Sequence, residues 1–201
     1  MKLARKVDSW KQKSRYRIVA PEEFNSQEVG VTVAADPKKL VGRTLKVTIR
    51  DLTGDKTKQH LNLIFEIGKV RDSNAYTKFK RFEVSRNYLK GLVKADTSKI
   101  DHIHDIDDSN NLRIKTVVIT RNRIKTSQKN AINSKISEIL DGYKDANLKD
   151  LVEQSLSGKL NTRIYREIKN VCPIQRVEIR EIRAMYRLRV RLSAQPCLSF
   201  F

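Results

Sequence analysis

Seven side chains between Arg121 and Lys129 have the types and spacing to hold a polyanion. Arg121, Arg123, Lys125 and Lys129 supply positive charge, and Thr126, Ser127 and Gln128 supply hydrogen-bond donors between them. Cations of this kind neutralise phosphates, while hydroxyl and amide groups donate to phosphate or 2′-hydroxyl oxygens. No Asp or Glu occurs between Asp108 and Glu138 to compensate them. The flanking residues place the cluster at a junction. Leu112, Ile114, Val117, Val118 and Ile119 form an apolar, β-branched run suited to a sheet. Ile132, Ile136, Ile139 and Leu140 then recur at helical spacing, with Thr126 or Ser127 placed to cap the helix start. A strand thus hands over to a helix N-terminus, whose unpaired N–H groups also favour anions. The bland alternative is a solvated strand exit, since charge runs usually face water.

Other clusters carry weaker chemistry. Lys56, Lys58, Gln59 and His60 form a second basic loop and Arg43 a third site; His60 is suited either to stacking on a base or to a hydrogen bond at a strand start. Residues 101–108, Asp101-His-Ile-His-Asp-Ile-Asp-Asp108, put His102 and His104 on one strand face, as two ligands of a zinc or iron site would be. Ile100 and Ile106 share that face, however, and no spacing elsewhere supplies a third ligand, so no metal or other cofactor is expected. The same carboxylates allow a rival reading, an RNA-processing enzyme that holds magnesium. Nucleophilic catalysis finds no Gly-x-Ser-x-Gly elbow, no Gly-rich phosphate loop and only three histidines.

The totals agree with a polyanionic partner. In 201 residues, 42 Lys and Arg face 23 Asp and Glu, a net charge of +19, and the pI is about 10.1. Such imbalance speaks to RNA, DNA or an anionic surface rather than to fold. No apolar run approaches the roughly 20 residues of a spanning helix, and residues 1–10 lack a signal-peptide core, so no membrane partner is expected. Cys172 and Cys197 form no metal or redox spacing, which suits reduced thiols in a cytosolic protein.

Residues 1–17 read as a basic arm, with Arg5, Lys6, Lys11, Lys13 and Arg15 as candidate RNA contacts around Trp10 and Tyr16; alone it would be disordered. From 18 to 47 the chain reads as irregular structure leading into a sheet. Leu45, Val47 and Ile49 alternate with polar residues as a half-buried strand does, and residues 51–55 read as a turn. Leu61, Leu63, Phe65 and Ile67 make the next strand, 71–74 a turn, and 76–82 a third strand, giving an antiparallel meander that continues onward. A short helix is expected within 85–95, a strand at 100–107, a hairpin turn at 108–111, and helices at about 127–143, through Leu148–Leu156, and through Leu160, Ile164 and Ile168. Gly158 interrupts the last two, and Ile174, Val177 and Ile179 form a final strand. The fold class is α+β: a β-rich unit over 18–124, a helical region with a last strand over 125–183, and a tail over 184–201. In that tail Arg187, Arg189 and Arg191 alternate with Leu188, Val190 and Leu192, which predicts an added strand or a segment lying along RNA.

Five stretches in fixed order resemble one family. They are Leu40-Val-Gly-Arg-Thr44 with Asp51-Leu-Thr-Gly-Asp55 and Lys58-Gln-His60; Asn74-Ala-Tyr-Thr-Lys-Phe-Lys80; Thr97-Ser-Lys-Ile-Asp101; Arg123-Ile-Lys-Thr-Ser-Gln-Lys129; and Arg176-Val-Glu-Ile-Arg180. Over roughly residues 8–182 the chain resembles the small-subunit ribosomal protein of archaea and eukaryotes called S-one-e, or S-three-a in older usage. The resemblance implies an antiparallel β-barrel followed by helices, bound to small-subunit rRNA on the platform near the RNA's 3′ end and the messenger exit. It implies a structural component without catalysis or cofactor. Lys78 and Lys80 join the candidate RNA contacts through the second motif. Implied partners are small-subunit rRNA, neighbouring platform proteins and translation initiation factors near the messenger exit. The implied location is the cytoplasmic ribosome, with nucleolar assembly in a eukaryote. The chain departs from archaeal-type members at Lys94-Ala-Asp96, where they are basic, and residues 184–201 match nothing in the family. The rival of a non-ribosomal RNA-binding or assembly factor stays open.

Overall fold

The computed structural model describes residues 13–24, 26–106, 111–143 and 148–185. Its strands are β1 (Ser14–Val19), β2 (Glu28–Ala34), β3 (Thr44–Thr48), β4 (Leu61–Arg71), β5 (Asn74–Val84), β6 (Lys99–Ile106), β7 (Leu112–Thr120) and β8 (Ile174–Ala184). The helices are α1 (Ile49–Thr53), α2 (Arg86–Leu92), α3 (Thr126–Asp141), α4 (Leu148–Leu156) and α5 (Lys159–Ile168). Strands lead and helices follow, so the class is α+β.

The meander forms as the alternation predicts. β3 pairs antiparallel with β4, and β4 with β5 through a two-residue turn in which Asp72 takes a φ of 53°. It does not continue into β6. β5 divides its second edge between two neighbours: Asn74–Tyr76 pair in parallel with β1, and Arg81–Glu83 pair with β8. The path of the sheet is β2-β1-β5-β8-β7-β6, with β3 and β4 branching from β5. The closed barrel that resemblance implies is therefore corrected to an open, branched sheet. β2 and β6 each have one paired neighbour, because a strand shared in this way forks the ladder instead of completing a ring.

β8 is the strand that ties the two halves of the chain together. It lies between β5 and β7, and its Val177, Ile179 and Ile182 join Leu63, Phe65, Phe82, Ile114 and Val118 in the main core. Against that face pack Ile132, Ile136 and Leu140 of α3, Leu151 and Val152 of α4, and Leu160, Ile164 and Ile168 of α5, all essentially buried. Gly158 separates α4 from α5 at a φ of +74°, a conformation that suits glycine.

Four local expectations change. The start of the chain's described part is ordered strand: Tyr16 and Ile18 alternate with exposed Arg15 and Arg17 and fill a small second core with Leu40 and Ile67. Tyr16 is thus a core residue. Residues 28–34, read as irregular, form β2. The strand expected through Ile49 stops at Thr48, whose Oγ1 accepts the Asp51 N–H at 3.3 Å and starts α1. The residues read as a turn at 51–55 are the end of that helix, closed by Gly54 at φ 75°. The tail pattern from Arg187 onward and most of the 108–111 turn lie outside the described residues.

Candidate nucleic-acid interface

The junction between β7 and α3 is fastened through its backbone, which leaves its cations outside. Thr120 is fully buried, and its Oγ1 accepts the Ser98 N–H at 3.0 Å while lying 2.6 Å from the Asn122 carbonyl and 3.1 Å from that of Ser98. Its N–H donates to the Ser98 carbonyl at 3.0 Å. Ser98 also binds in the other direction: its Oγ accepts the Ile124 N–H at 3.2 Å. The Arg121 N–H donates to the Pro173 carbonyl at 3.0 Å, just before β8. Two neighbouring segments therefore hold residues 120–124, and buried Ile132, Ile136 and Leu140 hold the helix beyond.

On this frame Arg121, Arg123, Lys125, Thr126, Ser127 and Lys129 are all exposed. Arg121, Lys125 and Lys129 make no ion pair among the described residues. Arg123 comes within 3.4 Å of Asp96, both side chains being at least 80% exposed; at that exposure solvent screens the pair and leaves it little weight. Space thus supplies one acid where the linear sequence shows none. The first turn of α3 holds no acidic residue. Cations at a helix N-terminus oppose the helix dipole, so this arrangement is electrostatically unsatisfied in the free protein and suited to a bound anion. The cap differs from expectation: Thr126 and Ser127 lie within the helix, Lys125 is the cap residue, and Gln128 Oε1 accepts the Lys125 N–H at 3.1 Å. Gln128 is half-buried by that role and keeps its amide N–H groups for other partners.

The other candidates divide. Lys56 and Gln59 are exposed on a short 3-10 turn after α1, whereas Lys58 lies 3.6 Å from Asp55. Hydrogen bonds from Thr57, more than the Lys58 charge, hold the Asp55 carboxyl below its usual value. The His60 ring stacks through one face on Tyr88, with centroids 4.2 Å apart. Tyr88 Oη is in turn 3.4 Å from Glu178 Oε1 and 3.2 Å from Arg176, and burial, then the Glu178 charge, pushes its pKa up. Buried Glu178 also accepts from Arg176 at 2.8 Å and Asn161 at 2.9 Å. Since Arg176 pairs with Ile119 in the β7/β8 ladder, this chain of contacts ties the 56–60 loop and α2 to the end of β7. Arg43 is engaged partly on the backbone, donating to the Lys39 carbonyl at 3.0 Å and the Val33 carbonyl at 3.3 Å. Lys78 is exposed on β5, Lys80 pairs with Glu66 at 2.7 Å, and Lys13 and Arg15 are exposed at the start of β1. Arg5, Lys6 and Lys11 lie outside the described residues.

The two histidines of β6 turn toward α3. His102 Nε2 is 3.2 Å from Ser137 Oγ and His104 Nε2 is 3.4 Å from Asp141 Oδ1, both on the α3 side. Burial, and then His104, pushes the His102 pKa down. Asp101 and Asp105 lie on the other face and are held by cations, Lys99 at 2.8 Å and Arg113 through two bonds of 2.7 and 2.8 Å. Among the described residues no group of three metal-binding side chains forms. Sequence reasoning missed Ser98 and Thr120, which position the junction; one hydroxyl beside a strand end gives no signal until the pairing of β6 with β7 is known.

Comparison with known proteins supplies the family. Residues 2–187 match the Ribosomal S3Ae family. The small ribosomal subunit protein eS1 of Archaeoglobus fulgidus is 42% identical over 184 residues, 89% of this chain and 87% of that protein. The protein of the same name from Staphylothermus marinus is 37% identical over 86% of this chain and 82% of its own. That from Methanoculleus marisnigri is 35% identical over 88% and 91%. With the match spanning both the sheet and the β7–α3 junction, the chain belongs to the Ribosomal S3Ae family of ribosomal proteins.

Proposed function

We propose that this protein is a structural component of the small ribosomal subunit that grips small-subunit rRNA through the β7–α3 junction. The observation that carries the reading is a row of exposed cations, Arg121, Lys125 and Lys129, on a backbone fixed by Thr120, Ser98 and Pro173 at a helix N-terminus. A fixed backbone leaves only side-chain freedom to be lost when these cations meet phosphates, and the exposed Thr126 and Ser127 hydroxyls stand beside them to donate. Lys56 and Gln59, Lys78, and the basic residues at the start of the chain add contacts in this account. Names shared by the relatives support the ribosome as its place and rRNA and ribosomal proteins as its partners. The family resemblance supports the finer position on the platform near the messenger exit, next to initiation factors, and in a eukaryote assembly in the nucleolus. The division into a basic start, a β-rich RNA-binding unit, a helical region and a tail belongs to the same reading. No catalytic step is assigned.

Ultraviolet crosslinking of assembled small subunits tests this, with the crosslinked peptides identified by mass. Crosslinks within residues 121–129 are expected. Their absence there, with crosslinks found elsewhere on the chain, overturns the assignment.

A further inference from the structure

A cleft of about 420 Å³ opens between α2, the first residue of β6 and β8. Its floor is aliphatic, made by the edge of buried Leu89 and by Val93, which is 38% exposed. Four cations surround that floor: Arg86, Lys90, Lys99 and Arg180. Arg86 and Lys90 lie one helical turn apart along α2, on one side. Arg180 stands on the other through a β-bulge. Lys115 pairs with Glu181 and Thr116 with Ile179, which leaves Arg180 as the extra residue whose direction the bulge resets. One acid is close, Asp101, 2.8 Å from Lys99 and 3.9 Å from Arg180. Four positive charges against one negative charge, around apolar surface open to water, ask for a ligand that is anionic and has an apolar face.

We propose that this cleft receives an unpaired RNA nucleotide, its base on Leu89 and Val93 and its flanking phosphates on the cations at either side. The proposal rests on the RNA-binding reading of the β7–α3 junction. Continuity with that junction favours RNA over an acidic peptide. The segment from Val93 to Lys99 runs from the cleft floor to Ser98, whose hydroxyl holds Ile124, and passes Asp96, which faces Arg123. One strand of RNA leaving Arg121 and Arg123 therefore meets Lys99 next. The volume falls in the range of about 300–1,000 Å³ typical of small-ligand sites, and two guanidinium planes are available to lie against a base.

The test uses the full chain and two hairpin RNAs, one carrying a single bulged nucleotide and one fully paired. The wild-type protein is expected to bind the bulged hairpin about tenfold more tightly, as burial of one base on apolar surface would give. Val93→Asp, and separately Arg86→Gln with Lys90→Gln, should bring the two affinities within about twofold of each other. The second variant changes only exposed side chains and so keeps the test alive if the first fails to fold. Alanine at Arg121, Arg123 and Lys125 should weaken both RNAs and preserve their ratio. A wild-type ratio near one, or a preference that survives in the Arg86/Lys90 variant, overturns the proposal, as does loss of binding to an acidic, leucine-bearing peptide in that variant with the RNA ratio intact. If the ratio collapses in the cleft variants while the junction variant changes neither affinity, the junction assignment fails and the cleft stands.

Discussion

Replacing Arg121, Arg123 and Lys125 together with alanine removes three cations without touching the frame that carries them. All three side chains are exposed, and the Arg121 N–H bond to Pro173 is made by backbone and survives. Thermal and denaturant stability should stay within about 0.5 kcal/mol of wild type, as for surface changes away from packing. A small gain is expected, since Lys125 stands at the positive end of the α3 dipole. RNA binding should respond strongly. Each cation withdrawn from a phosphate flattens the log–log salt slope by about 0.7–0.9, so removing all three flattens it by about 2–3. Across a tenfold rise in salt, the wild-type protein should lose about 100- to 500-fold more affinity than the variant. The assay is equilibrium binding to small-subunit rRNA over a salt series. The control replaces three exposed cations on the helices, Lys149, Lys159 and Arg166, with alanine. An unchanged slope in the junction variant, or equal flattening in the control, would refute the reasoning and leave a solvated strand exit with general electrostatic attraction.

The contacts around the junction and sheet set further outcomes. Thr120→Val leaves the half-buried Ser98 N–H without its partner and should cost about 1–2 kcal/mol by chemical denaturation, while weakening RNA binding although no charge is removed. Because His102 titrates below 6.5 in the folded protein, the unfolded chain takes up its proton first; wild-type stability should fall as pH drops from 6.5, and His102→Val should remove that part of the slope. His102→Val with His104→Val should keep stability within about 1–2 kcal/mol or raise it, and stoichiometric zinc or iron in the native protein, absent from the double variant, would contradict the account of this strand. Burial alone would raise the Glu181 carboxyl; Lys115 at 2.8 Å, Arg183 at 3.0 Å and Arg81 at 3.7 Å outweigh it and hold the pKa below 4.5. Its contribution is present above pH 4.5 and lost on acidification, so Glu181→Gln should destabilise near neutral pH by about 1–3 kcal/mol, a gap that closes in acid urea titrations.

Local patterns were legible where side-chain period and burial agree. Ile132, Ile136 and Leu140 announce α3, and Leu61, Leu63, Phe65 and Ile67 announce β4, because each set lines one face of a regular element. The long-range pairing was not. Nothing in Ile174–Ile179 says that β8 inserts between β5 and β7, and that insertion is what turns the expected barrel into a forked sheet. β1 shows a different failure. Tyr16 and Ile18 alternate with Arg15 and Arg17 as a strand should, but the charge of the first 17 residues dominates the reading. At the site, the cations were visible in sequence, whereas the Asp96–Arg123 approach, the His60–Tyr88 stack and the Ser98–Thr120 clasp each join residues distant in the chain. Arg180 was hidden for the same reason, since only the register of β7 against β8 makes it a bulge.

The most direct test of the central claim is co-sedimentation with intact small subunits through gradients of rising salt. A structural component of the subunit should remain with the particle at salt concentrations that strip loosely held factors, and the Arg121, Arg123 and Lys125 variant should be released at lower salt. Recovery of the wild-type protein at the top of the gradient, free of the subunit at high salt, would contradict the account and favour a non-ribosomal RNA-binding or assembly factor.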